Sequence, residues 1–477
     1  MSHARLPRTL FVFLFVLPLL SALAQAQTTA SLPDIQSVDA LGTDLFLQSG
    51  STGMVLVVVR DDQVFFRGYG ETAPNSQQLP TQDSLLRLCS LTKILTTDVL
   101  TKLVADKTVR LDDPLQRYAP AGKIVPKRVR PITLADLATH TSGLPRELGN
   151  APHGTPHFTF PDYRTRWRWL PNQRLRSTPG TAALYSNLAF DLLSDALQSA
   201  AHKQYAALLA ERTLNPLHMQ HTTFFPNAEQ CSHLLIGAHD EVPCTITEAT
   251  AGSSGLYSTA ADMAIWLKYL LQTGGPGIPA QDASAQAVYI LPSNLVSQKG
   301  LDHAGEPTGV GLGWIHLLPA DSPSHIVEKT GAGAGFTTYI AINHSRRTAI
   351  FLAATDGPVD TNVNLFNATN NLLLAVAGLP PLPPPPPKPP KPPRPPPHPP
   401  KPPPELQPPP LIPRNSAANN ATTPAPSASA SACVSRNTSN PVAPALSVAP
   451  SVRPNTAHST FERTRKPKIA NGSIFQC

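Results

Sequence analysis

The chain has 477 residues, 55 of them proline, and a formal charge of +7. The charge is uneven: residues 380–477 hold 11 Lys and Arg against 2 Asp and Glu, so residues 1–379 carry −2. The basic balance therefore gives no ground for nucleic-acid binding by the body of the chain. Residues 27–379 are long enough for one large domain or two intimate ones.

The first 26 residues have the layout of a cleaved secretory signal: Arg5 and Arg8, an apolar run from Leu10 to Leu20, then Ala22, Ala24 and Ala26. The run is too short to span a membrane comfortably. No cysteine follows it to take a lipid. The expected product starts near Gln27, carries no transmembrane anchor, and is periplasmic or secreted.

Next, MVLVVVRDDQVFFRGYGE (54–71) reads as two strands around Asp61-Asp62. Cys89 reads as a buried small apolar residue. The segment SLTKILTTDVLTKLVADK (90–107) is an amphipathic helix with Leu91, Ile94, Leu95, Val99, Leu103 and Val104 mainly on one face. Ser90 stands where a helix cap belongs. Lys93, one turn on, shares its face.

Further helices are expected over 133–140, 188–201, 205–214 and 260–272. Four more strands follow: GVGLGWIHLL (309–318), HIVEKTG (325–331), FTTYIAIN (336–343) and TAIFLAATDG (348–357), the last two joined by the hairpin-length HSRR. A final helix occupies 359–378. Short strand sets at the two ends cannot bury themselves alone. They are expected to form one antiparallel sheet, with a mainly helical subdomain over roughly 110–300 packed on it. The fold class is α+β, with a site in the crevice between sheet and helices.

Past the body, Pro380 to Pro413 is about two-thirds proline, with Lys388, Lys391, Arg394 and Lys401 set in it. A polyproline II rod of this length reaches roughly 100 Å. Residues 380–414 are thus read as a linker and 415–477 as a disordered tail. A solvated spacer is the plainer role; contact with an anionic cell envelope is the alternative. Of the five cysteines, Cys433 and Cys477 fall in the tail. Cys231 and Cys244 can pair in an exported protein, which would contribute ~3 kcal/mol in the chain-entropy picture. No Cys/His spacing suggests a zinc site.

Three strings could carry chemistry. In Ser90-Leu91-Thr92-Lys93 the lysine can serve the serine as base if burial makes it partly neutral. In Tyr185-Ser186-Asn187 the tyrosine can shuttle a proton and Asn187 can donate to a substrate amide; the plain alternative is a helix cap. In Lys329-Thr330-Gly331 a cation and a hydroxyl can meet a substrate carboxylate, and Gly331 lets a substrate backbone lie against the strand. A backbone N–H just past it, at Ala332, can share an oxyanion hole with that of Ser90.

In this order the strings resemble the serine penicillin-recognising family of β-lactamases, DD-peptidases and related esterases. Tyr-Ser-Asn in place of Ser-Asp-Asn points to the class C β-lactamase-like branch. So do ITLADLATHTSGLP (132–145), SSGLYSTAADMAIWL (253–267), GLGW (311–314) and GFTTYIAI (335–342). DPLQRYAP, GTPHFTFPDYRTRWRWLPNQ and PNAEQC are similar to a DD-carboxypeptidase/endopeptidase type within that branch. The resemblance implies that Ser90 is acylated and that Lys93 and Tyr185 move protons. It further implies that Asn187, Lys329, Thr330 and Gly331 hold substrate, and that the N–H groups of Ser90 and Ala332 bind the oxyanion. Peptidoglycan stem peptides and β-lactams would be the partners, with no metal or cofactor. Alternatives are a dedicated β-lactamase, a carboxylesterase, or a noncatalytic envelope-binding protein.

His140 suits a structural role near a helix C-terminus. Trp167 and Trp169, with Arg164, Arg166 and Arg168 interleaved, read as packing with solvated arginines; a glycan or peptide groove is the alternative. His325 is given no role.

Overall fold

In the computed structural model, residues 37–239, 243–273, 284–359, 361 and 363–383 are described. The expected export signal, nearly all of the proline rod, and the tail with Cys433 and Cys477 lie outside the described residues.

Strand β1 (Gly53–Arg60) is buried at every position, as its unbroken apolar run requires for a central strand. It turns through Asp61, at φ +54°, into β2 (Gln63–Gly70). Near the far end of the body come β7 (Pro307–Val310), β8 (Ile315–Leu317), β9 (Ile326–Gly333), β10 (Phe336–Asn343) and β11 (Thr348–Thr355). These join the first two in one seven-stranded sheet of order β2-β1-β11-β10-β9-β8-β7, every pairing antiparallel. The first strand and the last meet in register, Val57 opposite Phe351. That closure joins the two ends of the body, as the strand-set argument expects. Two-stranded pairings outside the sheet are β3 (Leu85–Arg87) with β5 (Tyr257–Thr259), and β4 (Ala183–Leu184) with β6 (Gln298–Lys299).

The alternation along β1 sorts its side chains to two cores. Met54, Leu56 and Val58 pack with helices α1 (Val38–Ser49) and α9 (Leu365–Val376). Val55, Val57 and Val59 face α2 (Thr92–Ala105), α5 (Asn187–Ala201) and α8 (Ala260–Thr273). Shorter helices α3 (Leu134–Ala138), α4 (Tyr163–Trp169), α6 (Tyr205–Leu209) and α7 (Ala228–Ser232) complete the helical side. Cys231 on α7 is bonded to Cys244, their Cα atoms 5.8 Å apart. No helix among the described residues is long and apolar enough to cross a membrane.

Three local expectations are corrected and one element is added. GVGLGWIHLL is two strands, because Gly313 at φ +77° turns the chain and Gly311 N–H bonds Trp314 O. The last helix begins at Leu365, where Asn364 accepts from the N–H groups of Phe366 and Asn367. Helix α1 was not anticipated: only Val38, Gly42 and Leu45 are buried, a thin apolar stripe. Arg166 is not solvated. It is 4% exposed and gripped by Asp195 through two bonds of 2.7 and 2.6 Å, while Trp167 Nε1 donates to the same carboxylate. Arg164 and Arg168 are exposed as expected.

Candidate active site

Ser90 is not a helix cap. Cys89 adopts a left-handed conformation (φ +51°), and residues Cys89–Leu91 form a 3₁₀ turn ahead of α2. The helix starts with no side-chain cap. The turn frees the Ser90 hydroxyl for other partners: Lys93 Nζ lies 3.1 Å away and Tyr185 OH donates to it at 2.7 Å.

Lys93 is fully buried. Its Nζ also donates to Asn187 Oδ1 at 2.6 Å and to the Ser253 carbonyl at 2.8 Å. Burial pushes its ammonium down to about 7; Asp191 and Glu147 pull it back up, and Arg146 pushes it down. An amine poised there can take a proton from a serine near neutral pH.

Tyr185 and Asn187 flank Ser186, which is the true N-cap of α5, accepting from Ala189 N–H. The cap fixes both neighbours. Tyr185 stacks on His140, ring centroids 4.4 Å apart, and His140 Nδ1 accepts the Ser186 N–H. Burial, then Lys93, Lys329 and Arg146, hold His140 well below the usual range, so the ring stays neutral. The histidine thus braces the tyrosine. Around the tyrosine ring sit Arg146, Lys93 and Lys329, at 4.8, 4.9 and 5.3 Å from its centroid. Asn187 Nδ2 donates to Glu147 Oε1, so a substrate carbonyl must share that donor with Glu147.

Lys329, Thr330 and Gly331 lie on β9. Lys329 Nζ donates to the Thr330 carbonyl at 2.7 Å and lies 3.4 Å from its hydroxyl. Burial lowers its pKa. A Cβ on Gly331 would stand 2.2 Å from Thr338 Oγ1, 3.0 Å from Leu88 O and 3.2 Å from Ser90 N. Only glycine lets this strand pass so close to Ser90. Ala332 and Ser90 border one cavity of about 320 Å³, whose wall also includes Asn187, Ser253 and Ser254.

Sequence reasoning missed Arg146, Glu147, Asp191 and Ser253. Arg146 and Glu147 directly follow THTSGLP, and Ser253 opens SSGLYSTAADM, both phrases already notable. Asp191 interrupts the apolar run of α5, and it is 1% exposed. A carboxylate on a core face was the available signal. His325 meets His316, Nε2 to Nδ1 at 3.0 Å.

A nucleophile with a buried amine, a phenol on the same hydroxyl, and a lysine-threonine pair beside them suits acyl transfer. A profile of the β-lactamase family matches residues 34–373. The chain belongs to the β-lactamase family. It is 40% identical over 346 residues to the D-alanyl-D-alanine-carboxypeptidase/endopeptidase AmpH of Escherichia coli K12, covering 72% of this chain and 90% of that protein. Among solved structures it resembles a β-lactamase/D-alanine carboxypeptidase from Yersinia pestis, 41% identical, TM-score 0.67, covering 72% of this chain and 98% of that one. D-alanine carboxypeptidase AmpC from Burkholderia cenocepacia, 20% identical with TM-score 0.54 over 72% of this chain and 98% of that one, shares the fold. The α+β arrangement expected from the sequence is the serine β-lactamase/DD-peptidase fold. In this β-lactamase-family chain, Ser-x-x-Lys, Tyr-Ser-Asn and Lys-Thr-Gly converge on one hydroxyl and its surroundings.

Proposed function

We propose that the chain is an exported serine DD-peptidase, a carboxypeptidase/endopeptidase of peptidoglycan stem peptides, that penicillins also acylate. The observation that carries this is the pair of hydrogen bonds on Ser90 Oγ, from Lys93 and from Tyr185, beside Lys329. Ser90 Oγ attacks the carbonyl carbon of a D-alanyl amide and gives its proton to the Lys93–Tyr185 pair. The N–H groups of Ser90 and Ala332 hold the oxyanion. The pair returns the proton to the leaving amine as the C–N bond breaks, leaving an ester on Ser90. Water then attacks the ester and frees the serine. Lys329 and Thr330 take the carboxylate of a terminal D-alanine, and Gly331 lets its backbone lie along β9. Asn187 meets the amide of the acyl portion.

Retention of Lys329 disfavours a carboxylesterase, whose substrates need no carboxylate. A β-lactamase would differ only in how fast water removes the acyl group. The signal-like residues 1–26 and the Cys231–Cys244 bond support export to the periplasm or medium. The catalytic region is 27–379, followed by the basic proline linker 380–414, read as a solvated spacer, and the tail 415–477; envelope contact through the linker is the alternative.

Intact-mass measurement after benzylpenicillin treatment tests the nucleophile. One penicilloyl adduct on the native chain, absent in Ser90→Ala with unchanged circular dichroism, is the expected result. Labelling that persists in Ser90→Ala would defeat the assignment.

A further inference from the structure

The cavity that begins at Ser90 has two acidic side chains in its wall that the acyl-transfer steps do not use. Glu147 is 45% exposed, and its contacts with Asn187 Nδ2 (2.5 Å) and Arg146 Nε (3.8 Å) both fall on Oε1. Asp191 stands one helical turn beyond Asn187 on α5, is 1% exposed, and borders the same cavity. Ser253 hydrogen-bonds the carboxylate, but its Oδ1 is left without a partner. The nearby cation Arg166 does not supply one, since it bonds Asp195 and the carbonyls of Pro161 and Ala249. Buried carboxyl oxygens are normally satisfied. One that is not, in a cavity wall, is suited to a donor brought by a ligand.

The position of the cavity says which part of a ligand that is. Lys329 and Thr330 do not line it, whereas Ser90, Asn187 and Ala332 do. With the leaving group's carboxylate on Lys329 and Thr330, this cavity lies on the acyl side of the attacked carbonyl. Phe158, Phe160 and Pro161 supply apolar wall around the acids; burial there raises the Asp191 carboxyl, and an incoming ammonium would draw it to the charged form. A volume of about 320 Å³ is enough for an amino-acid side chain.

We propose that Glu147 and Asp191 form an acidic subsite for a primary ammonium group carried on the acyl portion of the substrate, as a diamino-acid residue of a stem peptide would present. The inference rests on the reading of Ser90 as the acylated nucleophile.

Two matched ligand pairs test it on the full chain. Ampicillin and benzylpenicillin share a ring and differ by one ammonium on the acyl side. Nα-acetyl-Lys-D-Ala-D-Ala and its Nε-acetylated form differ by one ammonium at longer reach. The readout is the ratio of second-order rate constants within each pair, acylation for the first and D-alanine release for the second. Any effect of a substitution on Lys93 as the base, or on the amount of folded protein, cancels in that ratio. The native chain is expected to favour the cationic member of at least one pair by roughly tenfold, the scale of one charged hydrogen bond. The preference should fall toward one in Glu147→Gln and in Asp191→Asn; the first, half-exposed, guards against a folding defect in the second. Ratios near one in both pairs for the native chain, or a preference that survives both substitutions, overturn the subsite. If the β-lactams acylate but the peptides are untouched, the peptidase reading fails and the β-lactam pair alone decides the subsite. Absence of any acylation overturns the reading of Ser90 and the subsite with it.

Discussion

The acylation rate should follow the protonation state of Lys93. This side chain is fully buried, and burial brings its ammonium down to about 7. A base at that value is roughly one-tenth neutral at pH 6 and nine-tenths neutral at pH 8. Acylation by a fluorescent penicillin, followed as a second-order rate constant, should therefore rise roughly tenfold across that interval and then level. The sign can be checked by substitution. Asp191, when ionised, favours the charged amine, and burial raises its own carboxyl toward the same range, so Asp191→Asn should move the rising limb to lower pH and leave a single titration there. Lys93→Arg keeps the charge but removes the base, and should lose acylation at every pH. A flat profile from pH 6 to 8, or a limb that moves upward in Asp191→Asn, would refute Lys93 as the base.

Lys329→Ala should slow carboxylate-bearing β-lactams far more than neutral esters, since the lysine and Thr330 hold the carboxylate; equal losses on both substrate classes would remove that role. Asp195→Ala should cost about 3–5 kcal/mol in chemical denaturation, because it leaves the buried Arg166 guanidinium without its partner; a loss under about 1 kcal/mol would resemble a surface pair instead. Glu328 is buried with Oε2 unpartnered, and burial pushes its carboxyl up to about 8. The folded chain keeps a proton there that the unfolded chain has shed, so its stabilising contribution is full below about pH 4.5 and is lost progressively as pH rises to about 8. Glu328→Gln, fixed in the neutral form, should raise the melting temperature at pH 9 and leave it nearly unchanged at pH 4.5; an equal shift at both pH values would contradict this.

Much of the site was legible because its motifs are local. Ser90 and Lys93 lie three residues apart, and a helix brings such residues together wherever it sits. Their meeting with Tyr185 and Lys329 was legible only through resemblance, since 95 residues separate Ser90 from the tyrosine that donates to it. The cap reading of Ser90 failed because the left-handed Cys89 and the 3₁₀ turn are held by β9 and β10 packed against them, not by the serine. Arg166 looked solvated because its carboxylate lies 29 positions away. The long strand β10 was readable residue by residue and β11 to within two residues at its end, while β7 and β8 merged because Gly311 and Gly313 are apolar-compatible in a strand pattern. Glu147 and Asp191 gave only the weak signal of charge beside an apolar run. Their role depends on which cavity they border, and the sequence does not record that.

The central claim is peptide-bond cleavage through Ser90. The direct measurement is digestion of purified pentapeptide muropeptides and cross-linked dimers by the full chain, with products read by mass spectrometry. Loss of one alanine residue mass, or splitting of dimers, both absent with Ser90→Ala, is the predicted result. Unchanged muropeptides in the presence of a protein that benzylpenicillin still acylates would contradict it.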